Sequence, residues 1–490
     1  MTERNFKRNK ILNILKDAGL STTGHGLPNI LRSNRMSLKI FWTICVFVSL
    51  GICAFLLQRS FVDFLNWDVV TKIQLITETP AIFPTISICN ANPIQTNYTV
   101  ELANTVLTEL NFSDPLNSPI FSFLTNSMKT HLTKYILFAN FQKLNSTEKE
   151  KIGFLTPDNI IGCTYSGIPC NLSTHFESYY DNFHGSCLRF NSGKKSPLLN
   201  SSKPGLLNGL FLELFVGEPN DHSLTYSTGL YVMVHNSSSQ VFYPKGYTVP
   251  TGKQVDIGIQ KEYITKKPSP YSNCIDDKNE LEKYEFYRII DASGRKYKRE
   301  LCYELCYQEK CLSKCQCQDF THFLFPNRTI CMNLKEFLCN YRAFAEFYAS
   351  NVNELCSAKC PMECDDINYP LTFSSLEYPT KPYSKVLLKN PQVISKFKNI
   401  SEVSYERLKS NVVLLYFYYI DSQYTKIEEV EKMNWLDFIA GIGGTLGLFI
   451  GISFLSLIEI VEVLIEVAYV FFESRVNKIM VKPKNSIEKS

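Results

Sequence analysis

WLDFIAGIGGTLGLFIGISFLSLIEIVEVLIE, Trp435 to Glu466, is the stretch on which the reading of this chain turns. From Phe438 to Ile458 it runs 21 residues without a charge. At about 1.5 Å per residue, a helix of that length crosses the roughly 30 Å hydrocarbon core of a bilayer. Gly441, Gly443, Gly444, Gly447 and Gly451 crowd into it, three of them (443, 447, 451) recurring at every fourth position. Small residues at that spacing line one helix face and let backbones approach closely. The span is therefore expected to pack against copies or neighbours instead of meeting lipid all round. Glu459, Glu462 and Glu466 follow at spacings of three and four, which stacks them on one face of the same helix as it continues. Carboxylates at a membrane boundary are costly unless they meet water. They suit a water-filled cation path, although an ordinary acidic cytoplasmic face has the same spacing.

A second apolar run lies near the other end. Ile40 to Leu57 is 18 residues without a charge, with Lys39 and Arg59 at its flanks. About forty polar residues precede it, unlike a cleaved signal peptide, so it reads as a retained span. The net charge of +4 hides a split: residues 1–39 carry eight Lys/Arg against two acids, and residues 471–490 carry five against two. Basic flanks outside two apolar spans follow the positive-inside rule for cytoplasmic tails and call for no nucleic-acid partner. Every N-x-S/T acceptor lies between the spans: Asn97, Asn111, Asn145, Asn171, Asn200, Asn236, Asn327 and Asn399. Of 17 cysteines, all but Cys45 and Cys53 lie there too. That density suits an oxidising compartment, with seven disulfides and one thiol left over as the natural arithmetic. A zinc site in the Cys302–Cys317 cluster is the rival, and the few, badly placed histidines argue against a metal.

The expected organisation is a cytoplasmic tail (1–39), a first transmembrane helix (40–58), an extracellular disulfide-rich domain (59–434), a second transmembrane helix with the pore (435–470) and a cytoplasmic tail (471–490). Both termini then face the cytoplasm of a multi-pass plasma-membrane protein. In the N-terminal tail, ILNILKDAGL reads as a short amphipathic helix, followed by a turn-like stretch with His25 and Gly26. Residues 72–90 and 206–264 read as strands, 95–160 as mixed helix and loop, and 395–420, with VVLLYFYYI, as strand again. Residues 274–364 hold eleven cysteines and few apolar runs, so disulfides must do the work of a core there. The acidic cluster Glu428, Glu429 and Glu431 leads into Trp435 and Asp437.

These features together resemble the degenerin/epithelial sodium channel family, with its acid-sensing and peptide-gated members. The His-Gly pair before the first span matches His25-Gly26. The FPxxxxCN element matches Phe83–Asn90, GxCxxFNSG matches Gly185–Gly193, the cysteine-rich segment is in place, and the G-x-S of the second span is Gly451-Ile452-Ser453. The resemblance implies an α+β membrane protein: two transmembrane helices flanking a β-strand palm and a helical thumb, assembled as a trimeric channel. It also implies disulfides pairing Cys89 with Cys187, Cys163 with Cys170, Cys274 with Cys364, Cys302 with Cys360, Cys306 with Cys356, Cys315 with Cys339, and Cys317 with Cys331. Cys311 is left over, free or bridging subunits.

For the pore, the resemblance implies a selectivity filter at Gly451, Ile452 and Ser453, whose carbonyls and hydroxyls replace a cation's water shell. Acidic rings fall at Asp437, Glu459, Glu462 and Glu466, and gating residues at His25, Gly26 and Ala440. Sodium is the expected permeant ion, with calcium a second candidate, and no cofactor or metal is expected. Val69, Gln74 and Gly441 stand where acid-sensing relatives carry other residues, which weighs against proton gating. The tails lack PPxY ligands of epithelial subunits. What remains is an amiloride-sensitive channel, a homotrimer or a heterotrimer with related subunits in a lipid membrane, opened by an extracellular peptide of the RFamide type. Proton, mechanical or constitutive gating is the alternative. An ATP-gated receptor channel lacks FPxxxxCN and G-x-S, and a non-conducting adhesion or receptor protein leaves the glycine and acid pattern of the second span unexplained. No spaced Ser/His/Asp set, HExxH or phosphate loop points to an enzyme.

Overall fold

The computed structural model describes residues 2–110, 125–153, 155–218, 224, 227–237, 246–397 and 403–480. Asn111 and Asn399 lie outside them, as does the end of the C-terminal tail. The chain divides into two compact units, one of residues 1–70 and 430–490, the other of residues 71–429.

The larger unit is built on a six-stranded sheet whose centre is the strand Val412–Tyr419, parallel to Lys253–Ile259 on one side and antiparallel to Leu210–Phe215 on the other. Strand side chains alternate between faces, and here both faces are used. Val413, Leu415, Phe417 and Tyr419, with Leu210, Leu212 and Leu214, enter the main core. Val412, Leu414 and Phe215 point the other way, into a second cluster closed by Leu387, Val393, Phe397 and Leu408. The run VVLLYFYY is apolar throughout for that reason. A five-stranded sheet contributes Thr85–Asn90 and Gly185–Phe190, the two strands that carry the FPxxxxCN and GxCxxFNSG elements. Cys89 and Cys187 face each other directly across that pair and are joined, their Cα atoms 4.4 Å apart.

Residues 274–364 form the disulfide-stapled segment. Its spine is an antiparallel pair of helices, here Arg299–Cys315 and Leu334–Ala349. Cys302–Cys360, Cys306–Cys356, Cys315–Cys339 and Cys317–Cys331 close loops of 58, 50, 24 and 14 residues, each nested in the last. Closing such loops in the unfolded chain is worth about 2–4 kcal/mol each in the entropic account. Cys274–Cys364 and Cys163–Cys170 complete the set. Cys311 keeps its thiol. It is fully buried, 3.2 Å from Asn340 Oδ1, and burial together with the nearby Asp319 carboxylate pushes it up to about 12. A thiol so enclosed has no route to a second chain.

Around Cys311 runs a buried polar network. The Asp319 carboxylate accepts from Tyr135 Oη at 2.9 Å, Asn340 Nδ2 at 2.8 Å and the Thr321 backbone at 3.0 Å, while Tyr307 bonds Asn340. Because Tyr135 comes from the helix Asn126–Phe141, this one carboxylate ties that helix to the stapled pair. Burial opposes its charge, but His322 and the Asn340 and Thr321 donors hold it well below the usual carboxylate range. Burial would lower His322, and Asp319, 3.5 Å away, reverses that and raises it. Glu304 has the opposite fate: burial pushes its carboxyl up to about 7 against the pull of His322, the Phe323 amide and Arg295.

The pH dependence follows from these directions. Between about 4.5 and about 7 the folded chain keeps a proton on Glu304 that the unfolded chain releases, so its contribution falls as pH rises through that window. The raised His322 adds stability that is likewise lost as pH rises, whereas Asp319 loses its contribution only in strong acid. Acidifying the purified protein from about pH 8 to about pH 6 is expected to raise its unfolding temperature by about 1 °C per kcal/mol gained. Glu304→Gln is expected to flatten that slope in a calorimetric series, and an unchanged slope would place the titrating group elsewhere.

In the smaller unit, α1 (Thr2–Ser21) and α2 (Leu27–Arg32) precede α3 (Met36–Leu65). Among the described residues, α3 is the one helix long and apolar enough to cross a membrane by itself. The C-terminal stretch departs from the single continuous helix expected from its uncharged run. It forms two helices, α4 (Trp435–Ile450) and α5 (Phe454–Met480), and Trp435–Ile450 with Phe454–Phe472 passes the same test only as a pair bent by 76°. The break falls on Gly451, Ile452 and Ser453. The acids 459, 462 and 466 therefore sit on a different helix from the glycines.

Candidate functional site: the helix break and its brace

α4 is started by Asn434, whose side chain accepts from the Asp437 amide at 2.8 Å, and Asp437 in the first turn complements the helix dipole. Its N-terminal half packs on α3 through Phe438, which stacks on Phe64 at 4.4 Å and meets Phe61 edge-on at 5.0 Å. Lys432, just before the helix, reaches Asp68 at 3.0 Å and Asp63 at 3.7 Å, fastening the same end. On the remaining surface, a Cβ added to Gly441, Gly443, Gly444 or Gly447 would meet nothing within 4 Å. That glycine face is open within the chain, and Ala440 beside it is exposed.

The helix ends because Gly451 turns left-handed, at φ 75°, and its amide bonds back to the Gly447 carbonyl at 3.1 Å. This is the αL stop that glycine adopts without Cβ strain. A second constraint comes from the N-terminal tail. The His25 amide donates to the Ile450 carbonyl at 2.7 Å, taking one of the acceptors that the terminated helix leaves without a partner. The His25 ring then lies so close that a Cβ on Gly451 would come within 2.7 Å of it. Gly26 is fixed on the other side: its φ is 88°, and a Cβ there would stand 2.5 Å from Val46 Cγ2 on α3. The His-Gly pair is thus a backbone plug, its glycine set by α3 and its histidine amide by the break.

Beyond the break, α1, the His25 loop, α3 and α5 border a half-open cavity of about 690 Å³. Glu459, Glu462 and Glu466 line it together with Asp17. Of the residues predicted from sequence, the fold brings His25, Gly26, Gly451, Ser453 and Glu459 together and places Glu462 and Glu466 on the same cavity. It leaves Ala440 and Asp437 toward the other end of α4, roughly 16–21 Å along the axis from Gly451 at about 1.5 Å per residue. In the larger unit, Glu428 pairs with Lys426 at 3.0 Å and Glu429 accepts from the Lys267 amide at 3.2 Å, so those two acids are already engaged. Thr23 and Ser456, which no sequence motif marked, also sit at the break.

The profile described as "Amiloride-sensitive sodium channel" matches residues 19–463. The chain belongs to the amiloride-sensitive sodium channel family. Degenerin del-1 of Caenorhabditis elegans is 27% identical over 351 residues, covering 71% of this chain and 49% of that protein. The FMRFamide-activated amiloride-sensitive sodium channel of Cornu aspersum is 25% identical, covering 96% of this chain and 86% of that protein. The human epithelial sodium channel subunit beta is 26% identical over 69% of this chain and 52% of its own length. The chain thus spans about half the length of the degenerin and epithelial relatives. Among solved structures, a proton-activated chloride channel aligns at 6% identity and a TM-score of 0.32 over 86% of this chain and 96% of its own, a likeness too slight to bear on fold or function. Membership in the family accords with an ion channel, not an enzyme.

Gly451→Ala and Gly26→Ala each combine a left-handed φ with a close contact, at a cost of roughly 1–3 kcal/mol for the backbone alone. Each is expected to cut whole-cell current at least several-fold while surface biotinylation stays within about twofold of wild type. Full current from either variant would mean that the plug does not hold the break.

Proposed function

We propose that this chain is a pore-forming subunit of a sodium-conducting, amiloride-sensitive channel of the plasma membrane, opened by an extracellular ligand. The observation that carries this reading is the helix break at Gly451-Ile452-Ser453, braced by His25 and followed by the acid-lined cavity. An interrupted membrane helix exposes backbone carbonyls, which is tolerated where protein or water receives them, and a filter uses such groups to replace a cation's hydration. In this reading α3 and the α4–α5 pair are the two spans, both termini are cytoplasmic, and the disulfide-rich unit is outside with its glycan acceptors. The open glycine face of α4 meets its counterparts in a homotrimer or a heterotrimer with related subunits. Gly451, Ile452 and Ser453 form the filter, and Glu459, Glu462 and Glu466 gather cations below it. Glu431 and Asp437 are the acids that draw calcium to the outer mouth.

For the ligand we favour a neuropeptide of the RFamide type. The FMRFamide-activated relative is matched over most of its own length, whereas the degenerin and epithelial relatives are matched over about half. Superfusing expressing oocytes with amidated peptides ending in Arg-Phe is expected to evoke an amiloride-blocked sodium current. Silence to every peptide, with the subunit shown at the surface, would sink peptide gating.

The pore reading has a test that needs no ligand. Ala440 occupies the small-residue position on the open face of α4, where three closed helices converge. Overfilling a packed site costs about 1–3 kcal/mol, and three subunits bear that cost only in the closed state. Even about 1 kcal/mol apiece shifts the equilibrium roughly a hundredfold. Ala440→Val or Ala440→Phe is therefore expected to give a standing sodium current without stimulation. A bulky variant that stays silent until stimulated would remove the gate from this position.

A further inference from the structure

The break is held by more than a backbone plug. α5 opens on a reciprocal cap: the Ser456 amide donates to Ser453 Oγ at 3.4 Å, and the Ser453 amide donates to Ser456 Oγ at 3.0 Å. This has the logic of a capping box, with serine at the third helical position in place of the usual Glu or Gln. Ser456 is buried although its hydroxyl is polar, so that hydroxyl needs a partner. It has one in Thr23 Oγ1, 2.6 Å away on the N-terminal loop. Thr23 in turn contacts Glu459 Oε2 through both its hydroxyl and its amide, each at 3.3 Å.

The donors can be ordered. A carboxylate oxygen accepts, so the Thr23 hydroxyl gives its proton to Glu459 and its oxygen is left to accept from Ser456. Ser456 Oγ meanwhile receives the Ser453 amide. The chain therefore runs from the Ser453 backbone through Ser456 and Thr23 to Glu459, each link fixing the direction of the next. Gly451-Ile452-Ser453 is thus pinned at both ends: His25 holds the carbonyl before it and Ser456 holds the amide that closes it. At the second end the work falls to two hydroxyls, Ser456 and Thr23, and neither needs to touch a permeating ion.

We propose that Ser456 and Thr23 are positioning residues for ion selection, fixing the backbone of Gly451-Ile452-Ser453 through one hydrogen-bonded chain anchored on Glu459. This rests on the reading of Gly451–Ser453 as the filter. The juxtaposition of residues 433 positions apart makes the proposal specific, because one side of the pair can be rebuilt without altering the other.

The test is a double-mutant cycle on the full-length channel in excised patches, made active by Ala440→Val so that no ligand is needed. Reversal potentials in sodium and potassium give the permeability ratio for Ser456→Ala, Thr23→Val and the pair, with Ser456→Thr and Thr23→Ser as hydroxyl-preserving controls. Each deletion is expected to lower sodium preference roughly two- to tenfold, the range that one neutral hydrogen bond supports. The double variant should lose no more than the larger single loss, and the controls should restore the ratio. Additive losses, controls that fail to rescue, or a change in current amplitude at an unchanged ratio would each overturn the proposal. Substitutions at Ser453 tell the two readings apart. If they shift the ratio while Ser456→Ala and Thr23→Val do not, the filter stands and the hydroxyl chain falls. If none of them shifts it, the filter itself lies elsewhere.

Discussion

A helix whose end is covered by protein must hand its last carbonyls to something other than bulk water. That constraint shapes the break in the smaller unit. Gly451 ends α4 by turning left-handed, and the N-terminal loop supplies the missing donor through the His25 amide. Once this contact is required, much else is dictated. The loop must pass close to α3, which leaves room only for glycine at position 26. The ring of His25 must lie against the turn, which excludes a side chain at 451. The next helix must begin at once, and Ser453 and Ser456 cap each other to begin it.

The larger unit answers a different need. Its central sheet can be apolar on both faces because two separate clusters cover it, one on each side of Val412–Tyr419. The stapled helices have a core of their own, in which Ile290, Leu301, Leu305, Phe323 and Phe347 pack among the nested disulfides, beside a buried carboxylate. Three polar side chains, Tyr135, Tyr307 and Cys311, converge on Asp319 and Asn340, and Tyr135 comes from a segment far away in sequence. An unpartnered group there would cost about 1–3 kcal/mol, so the network acts as a checklist that misassembled packing fails.

Much of this was legible in the residues alone. The uncharged runs and the apolar strands encode their structure locally, so Ile40–Leu57, Leu210–Phe215 and Val412–Tyr419 could be read directly, whereas the disulfide pairing came only with the family resemblance. The break at Gly451 could not. An αL turn leaves no periodic trace, and a run of glycines among leucines and isoleucines satisfies the same hydropathy rule whether the helix is whole or interrupted. Thr23 and Ser456 were illegible for a related reason: lone hydroxyls are common, and their meaning here comes from a contact across 433 residues. The serine pair at 453 and 456 did have the spacing of a capping box, but that signal is credible only where a helix is already known to start. Likewise, nothing in Glu428 and Glu429 as letters shows that Lys426 and the Lys267 amide already hold them.

The separation of Thr23 from Ser456 also bears on how the molecule is made. A ribosome adding about 5–20 residues per second needs roughly 20 to 90 seconds to cover that interval. Throughout it the His-Gly loop exists while the helix end it will plug does not. A chain cut short between residues 365 and 449 carries the loop, the first apolar helix and all the cysteines of the seven disulfides, yet has no break to brace. The site is thus assembled late: a loop made before the first apolar helix finds its partner only after the second apolar stretch has emerged.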